Sequence, residues 1–555
     1  MAEERPTIYL ADLTGCEPAA ALSSTPRQNC WQTVPYEAEG LSGTMLLADA
    51  NCTAPALTLP LNVQGWHAVH LGVWTDWTDS SIRVKLSGDA CFTPAITARP
   101  TPTDPEWHSG FATLREAFWT CADLSGQDLL IEKMDRWEGR RAGLAYVKLE
   151  PLSEAEVAAI KQDRARTDTK RLIAYDDAWR LDPDTPEEAL REGVEHYRHS
   201  DFQKLLWCIG SGSETYFFSD VGEPSVRAEW DFLESFGRPM MGGMRTMQAR
   251  GLDPLTKVIE YAHDLDLELH GMYLVGGWVY PPNHGFESKF YYNHPQWRCV
   301  SRSGRPVTRM SYAFEGVRNF LLALFREVAE RGADGVNLGF VRGLPCLLYE
   351  QPMIDGFRQQ HGQDPRDLPE DDPRWLRFKA GVMTDFMRAL RRELDQVGEQ
   401  QGRSVQLSAY VLNDEARNMA HGLDAATWAQ EGLVDFIIPY PLYDVMEMDI
   451  PAYVRMTRGT LCKVYPEVMP RRQSPAEYRQ KALEFYAQDV DGLAFWDANT
   501  TSRSGFKNEW SMVRRLGHKD KLAGWAPDEW PSYRVLPMYS MGGLVMDEAN
   551  PYEAA

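Results

Sequence analysis

Residues 335–350 read GVNLGFVRGLPCLLYE, and the fold turns on how this stretch is understood. Its first half, GVNLGFV, is a short, nearly unbroken apolar run of the kind that is buried on both faces of a parallel sheet. A charged fork, Arg342, follows at once, then Gly343 and Pro345, and the stretch ends on a carboxylate, Glu350, before a helical run begins. A buried strand that ends in polar side chains and hands over to a helix is one β/α unit.

The same unit recurs on both sides. RLIAYDDAW (171–179), KLLWCIGS (204–211), ELHGMYLVGGWVY (268–280), VQLSAYVLND (405–414), VDFIIPYPLYD (434–444), LCKVYPEVMP (461–470) and DGLAFWDANT (491–500) each precede a helix-prone run. With 335–341 they make eight strand-then-helix units over 171–525, which predicts an α/β fold, a (β/α)8 TIM barrel. Ser474-Pro475-Ala476-Glu477 adds a capping box with proline at the first helical position.

The grammar differs before residue 171. Over 1–150, short alternating runs such as GTMLLADA, WHAVHLGVW, SIRVKLSG and GLAYVKLEPL are separated by turn-rich pieces, the pattern of an all-β sandwich, jelly-roll-like, serving as an accessory or carbohydrate-binding-like module. Residues 151–170 are polar and helix-prone and read as a linker. Residues 526–555 hold YRVLPMYSMGGLVMD (533–547), one or two strands expected to pack back on the sandwich or the barrel.

Composition narrows the function. A chain of 555 residues, 43% apolar and 11% aromatic, is large enough for two cores. A net charge of −22 disfavours nucleic acid and anionic membranes as partners. Nine scattered cysteines without a CxxC pair disfavour a disulfide framework or a zinc ribbon. No run reaches the roughly 18 apolar residues of a transmembrane helix. The expectation is a chain that is cytoplasmic as given, or secreted or periplasmic if a signal peptide was removed.

In a (β/α)8 barrel the reactive residues sit where strands end and βα loops begin. That rule selects Asp176 and Asp177, Glu214, Trp278 and Tyr280, Arg342, Tyr410, Asn413 to Glu415, Tyr440 and Tyr443, Glu467, and Trp496 with Asp497; Glu350 lies further along the fourth loop. The long third loop adds Tyr291, Tyr292, His294 and Trp297. Aromatic plates beside carboxylates suit a sugar, and two carboxylates flanking an acetal suit glycosidic cleavage, with about 5 Å between them for retention and roughly 6.5–9.5 Å for inversion. Glu350, Glu467 and Asp497 are the candidate catalytic residues. Asp176, Asp177, Glu214, Trp278, Tyr292, His294, Arg342, Tyr410, Asn413, Tyr440 and Trp496 are the candidate substrate-binding residues. Bland alternatives stand beside them: Glu350 as the first residue of a helix, Glu467 as a salt-bridge partner of Arg471 or Arg472, and the aromatics as packing. Asp176 and Asp177, being adjacent, point to opposite sides, so one of them is expected to cap a turn.

Other constellations fail. His67 and His70 are three apart on a strand and face opposite sides, and His196 and His199 fall at the rim opposite the catalytic one. His284 and His294 match no metal motif. There is no GxSxG, P-loop or GxGxxG, and GSGSET (210–215) reads as a flexible turn. No metal and no cofactor is expected.

The run DGVNLGFVRGLPCLLYEQPMIDGFRQQHGQDPRDL (334–368) resembles the glycosyl hydrolase-like 10 family, in its fork-bearing fourth strand (Arg342), its Tyr349-Glu350 pair, and the helix-turn from Phe357 to Arg366. The resemblance implies a TIM-barrel glycoside hydrolase acting on an oligo- or polysaccharide, often joined to a jelly-roll module. By analogy with retaining barrel glycosidases it implies Glu350 as acid/base and Glu467 as nucleophile. No Asn-Glu pair ends the fourth strand, however, and Asp497 or Asp177 could replace one partner. Two other readings stay open: a non-catalytic carbohydrate-binding protein on a degenerate barrel, and a metal-assisted hydrolase or lyase on the same fold. Homo-oligomerisation is possible in any of them.

Overall fold

The computed structural model describes residues 6–49, 51–74, 82–95, 113–133, 141–178, 181, 184–226, 238–278, 288–441, 446–471, 473–498, 510–526 and 533–546. Tyr280, His284, Tyr443 and Arg472 therefore lie outside the described residues.

The N-terminal region is β-rich. Two sheets form there, a large one and a four-stranded one made of Leu57–Pro60, Asp128–Lys133, Ile82–Leu86 and Thr93–Pro94. Leu46, Val69, Leu71, Val84, Leu129, Ile131, Leu144 and Val147 are fully or nearly fully buried in one cluster drawn from both sheets. The alternating pattern of the sequence puts them on one face of each strand. The C-terminal strand Tyr533–Met541 pairs antiparallel with both Thr113–Asp123 and Trp31–Ala38, so the pairing of the large sheet returns on itself. That closure covers two strand edges that would otherwise be open. A second cluster, Val34, Tyr36, Met45, Trp74, Leu114, Tyr146 and Met538, packs on this closed path.

The segment read as a linker contains a helix, Glu154–Arg164. Ser153 and Glu156 cap it reciprocally at its start, and no residue in it is fully buried.

Beyond it every strand expected from the sequence forms, and all pair in parallel. Leu172–Asp176 pairs with Phe202–Ser211, then in turn come Glu268–Leu274, Gly335–Gly339, Gln406–Val411, Phe436–Pro439 and Lys463–Val464. Leu493–Trp496 pairs back onto Leu172–Asp176. The seventh and eighth strands meet through one parallel bridge, Glu467 to Ala494, where Val468 N donates to Ala494 O (2.9 Å) and Ala494 N donates to Pro466 O (3.0 Å). The seventh strand is short because Pro466 has no N–H to extend its ladder. The helices between strands are amphipathic, and their apolar faces join one cluster reaching from Leu172 to Leu522.

Two loops are more ordered than the sequence suggests. GSGSET is a tight hairpin, with Gly210 paired to Thr215 and Ser211 to Glu214. In the third loop Arg298–Val300 and Pro306–Met310 pair antiparallel. Among the described residues, no helix is long and apolar enough to cross a membrane.

Candidate active site

The seventh strand brings Glu467 to the centre of the site. Its side chain is fully buried, with Oε1 accepting from Trp496 N (2.5 Å) and Oε2 facing the Tyr410 hydroxyl at 3.4 Å. Burial is the main reason its pKa rises from 4.5 to about 8; the nearby Asp497 adds to the rise, while the Trp496 N–H and Arg471 oppose it. At neutral pH this carboxyl holds its proton.

Trp496, at the end of the eighth strand, gathers the other residues. Its ring lies 3.9 Å from Tyr175, 5.3 Å from Tyr410 and 5.4 Å from Tyr440, centroid to centroid. Two guanidinium groups lie against the same ring, Arg342 at 5.1 Å and Arg471 at 5.6 Å. Its indole N–H is buried without a hydrogen-bond partner among the described residues. The next residue, Asp497, has a left-handed backbone (φ 53°) and forms an ion pair with Arg471 at 2.8 Å. Arg471 also reaches the half-buried Tyr440 hydroxyl at 3.4 Å.

The fork that opened the sequence question now has a place. Gly343 lies in the left-handed region (φ 80°), and a Cβ there would come within 2.1 Å of the Gly276 carbonyl oxygen. This close crossing of the third and fourth loops leaves Arg342 exposed at the strand end, over Trp496. On the first strand, Asp176 caps the turn by accepting from Ala178 N (2.9 Å), and the half-buried Asp177 accepts the Tyr175 hydroxyl proton.

The structure thus brings together Asp177, Arg342, Tyr410, Tyr440, Glu467, Trp496 and Asp497. It adds Tyr175 and Arg471, which the sequence reading did not select as site residues. Tyr175 could have been found by alternation, since it shares a face with Asp177 two residues on. Arg471 was weighed only as a partner of Glu467 and instead forms its ion pair with Asp497.

The remaining candidates lie elsewhere. Glu350 is fully buried at the start of the helix Gln351–His361, and its carboxylate accepts from Val300 N (3.0 Å) and Leu348 N (3.0 Å). Burial pushes its pKa up, against the pull of those two N–H groups. It shares no hydrogen-bond partner with Glu467 among the described contacts. Glu214 is buried and accepts the Ser225 hydroxyl proton (2.7 Å). Trp278 is buried, stacks on Phe290 and directs its N–H at Ser213 Oγ (3.4 Å). His294 bonds the Phe290 carbonyl (2.8 Å) and stacks on Trp297, while Tyr292 is half-buried beside Tyr291. Asn413 is buried and donates to Glu447 O (3.1 Å), tying the fifth loop to the sixth.

An enclosed protonated carboxyl, an ion-paired carboxylate, aromatic faces and an exposed guanidinium can together stack a sugar, bind its hydroxyls and move a proton.

No curated protein matches the sequence. Among solved structures the chain is similar to the α-galactosidase of Thermus thermophilus (15% identity over 88% of this chain and 94% of that one, TM-score 0.34). It is also similar to a glycoside hydrolase family 18 N-acetylglucosaminidase from Paenibacillus barengoltzii (13% identity, 62% of this chain and 99% of that one, TM-score 0.33). Against the GH20 exo β-N-acetylglucosaminidase of Vibrio harveyi it has 10% identity over 61% of its length, spans 43% of that chain, and gives a TM-score of 0.31. By sequence, residues 236–454 match the family model Glycosyl hydrolase-like 10, the family that the 334–368 motif resembles; the matched segment includes Arg342, Glu350, Tyr410 and Tyr440.

Proposed function

We propose that the eight-strand ring is a (β/α)8 barrel, preceded by a β-sandwich module over 1–150, and that its mouth cleaves a glycosidic bond in an oligo- or polysaccharide. One observation carries this reading: Glu467, whose enclosed carboxyl is pushed by burial towards its protonated form, lies near an Asp497 held by Arg471, and that guanidinium lies against the Trp496 ring. Two carboxyl groups in environments this different supply an acid and an anion at one pH. Asp497 is the anionic partner, either nucleophile or stabiliser of the oxocarbenium-like state. Glu467 is the proton source. Arg342, Asp177 and Tyr440 bind hydroxyls or a charged substituent. The acid/base role that family analogy gives Glu350 passes to Glu467, since the Glu350 carboxylate is already taken by two backbone N–H groups.

The test is a glycan panel with Asp497→Asn and Glu467→Gln, followed by aryl glycosides whose leaving groups need no protonation. Asp497→Asn should be inactive on both. Glu467→Gln should lose the natural substrates and keep the activated ones; full activity of both variants on natural glycans would end this reading. The complete burial of both Glu350 and Glu467 favours one second reading, a sugar-binding protein without turnover. That reading predicts saturable glycan binding and no product.

A further inference from the structure

At the rim opposite the proposed active site, a cavity of about 840 Å³ lies between the sandwich, the linker helix and the starts of the first two ring strands. Its volume is that of a pocket for a small organic ligand. Its charges are unevenly matched. Every buried or half-buried acid in the wall that could neutralise a neighbour already has one: Asp163 bonds His518 (2.9 Å) and Arg515 (3.0 Å), Asp201 bonds His518 (2.7 Å), Glu195 bonds Arg198 (3.1 Å), and Glu116 and Glu150 share Lys148 (3.0 and 2.7 Å). Three half-buried cations of the wall form no ion pair among the described residues. Arg164 donates to the Cys121 carbonyl (2.8 Å), Lys170 donates to the Ser200 carbonyl, and Arg514 lies over Phe118 at 5.7 Å with its Nε buried and unpartnered.

These cations converge. Arg164, Lys170, Arg198 and Arg514 line the same wall as His199; desolvation in the recess and then these charges hold its pKa below the usual value, although its side chain is largely exposed. Burial and the charges of Arg515 and Arg164 likewise hold Arg514 down at about 10. Asp201 offsets part of the charge of Lys170 and Arg514 but pairs directly with neither, and cations held in a recess without an ion pair favour the entry of an anion. Aromatic surface stands beside it in the half-buried ring of Phe118, which also lines the cavity.

We infer that this cavity is a second ligand site, separate from the barrel mouth, for a small molecule carrying a carboxylate, phosphate or sulfate group, with the anion among Arg164, Lys170 and Arg514 and the body of the ligand against Phe118. The site uses residues that precede ring strands, where a barrel places no catalytic groups, so its occupant regulates or tethers and is not turned over there.

Calorimetric titration of the full chain with inorganic phosphate, glucose 6-phosphate, glucuronate and glucose tests it. Saturable binding is expected for the anions and none for glucose. Tighter binding of glucose 6-phosphate or glucuronate than of phosphate identifies a sugar acid, and equal binding a free anion. Arg514→Met should weaken binding by about tenfold or more, as loss of a charge-assisted contact does, and Arg164→Met should weaken it too, while Asp497→Asn leaves it unchanged. Arg514→Met should also keep or raise Tm, because it removes a cation held without an ion pair; a purely structural arginine would lower it. No saturable binding by any anion, or binding that both arginine variants leave intact, overturns the inference.

Discussion

Glu350 and Glu467 invite comparison. Both follow ring strands, both have 0% exposure, and burial pushes both carboxyls upward. Their surroundings set them apart. Glu350 meets backbone N–H groups of Val300 and Leu348, and so stitches the third-loop hairpin to the fourth loop. Tyr349 reinforces the join by donating its N–H to Val300 O (2.9 Å) and stacking on Trp375. Glu467 meets a tyrosine hydroxyl, one N–H and an arginine already committed to Asp497. One glutamate does the work of a strand partner, and the other sits among groups that can exchange protons or bind a ligand. A carboxylate after a ring strand is therefore not a role in itself; what decides is whether backbone donors have taken both of its oxygens, as they have for Glu350, or only one, as for Glu467.

The largest expected effect would break the comparison outright if it failed. On any glycan the protein hydrolyses, Asp497→Asn should lower kcat/KM by about a thousandfold, the size of a lost transition-state contact, and should also lower Tm, because Arg471 loses its ion-pair partner. Glu350→Gln should stay within about tenfold of wild type, since it acts through packing. A reversal of these two results would return the acid/base role to Glu350.

Next comes stability. Glu350→Leu leaves two buried N–H donors unpaired and should cost about 3 kcal/mol, at roughly 1–3 kcal/mol per donor. Urea denaturation measures it, and a loss under about 1 kcal/mol would show that water or neighbouring groups can replace the carboxylate.

The third effect depends on pH. The folded pKa of Glu467 is raised from 4.5 to about 8, so the stability tied to its protonated form is complete below 4.5 and lost as pH rises towards 8. Between pH 6 and 7.5 that amounts to about 2 kcal/mol. His518, also raised, changes stability with the same sign, so the readout is the difference between wild type and Glu467→Gln. The variant's Tm should fall less over that interval, and parallel Tm curves would contradict the raised pKa.

How far the sequence could be read follows from the same contrast. The strands of the ring were legible because a parallel strand buried on both faces writes itself as an apolar run, as in LLWCIG and FIIP. The closure of the large N-terminal sheet by Tyr533–Met541 was only half legible. That pairing joins positions hundreds of residues apart, and nothing local in YRVLPMYSM names its partners. At the site, the strand-end rule found Trp496, Asp497, Glu467 and Arg342, because it depends on register alone. It could not separate these from Glu350 and Glu214, whose carboxyl oxygens are engaged by loops that fold back on them, or from Asn413, whose amide nitrogen is bonded to Glu447 O. The family-like stretch after Glu350 is also largely structural. Gly362 ends its helix in a left-handed conformation (φ 68°), and Asp364 caps the following turn and holds Arg366 at 2.7 Å.

The smallest effect sharpens the contrast between occupied and available groups. Arg342 is exposed and lies over the Trp496 ring, near the Tyr175 and Tyr440 hydroxyls, and among the described residues no carboxylate is paired with it. Removing it should therefore cost little stability, since an exposed cation–π contact is worth about 0.5–1 kcal/mol. A side chain held over the site by the Gly276–Gly343 crossing, and not otherwise engaged, has its donors free for substrate. If those contacts hold ground state and transition state alike, Arg342→Met raises KM by about fivefold and leaves kcat nearly unchanged. A fall in kcat with constant KM would instead place the guanidinium against charge that develops during bond cleavage, and would move Arg342 from binding into the chemistry that Asp497 and Glu467 are proposed to share.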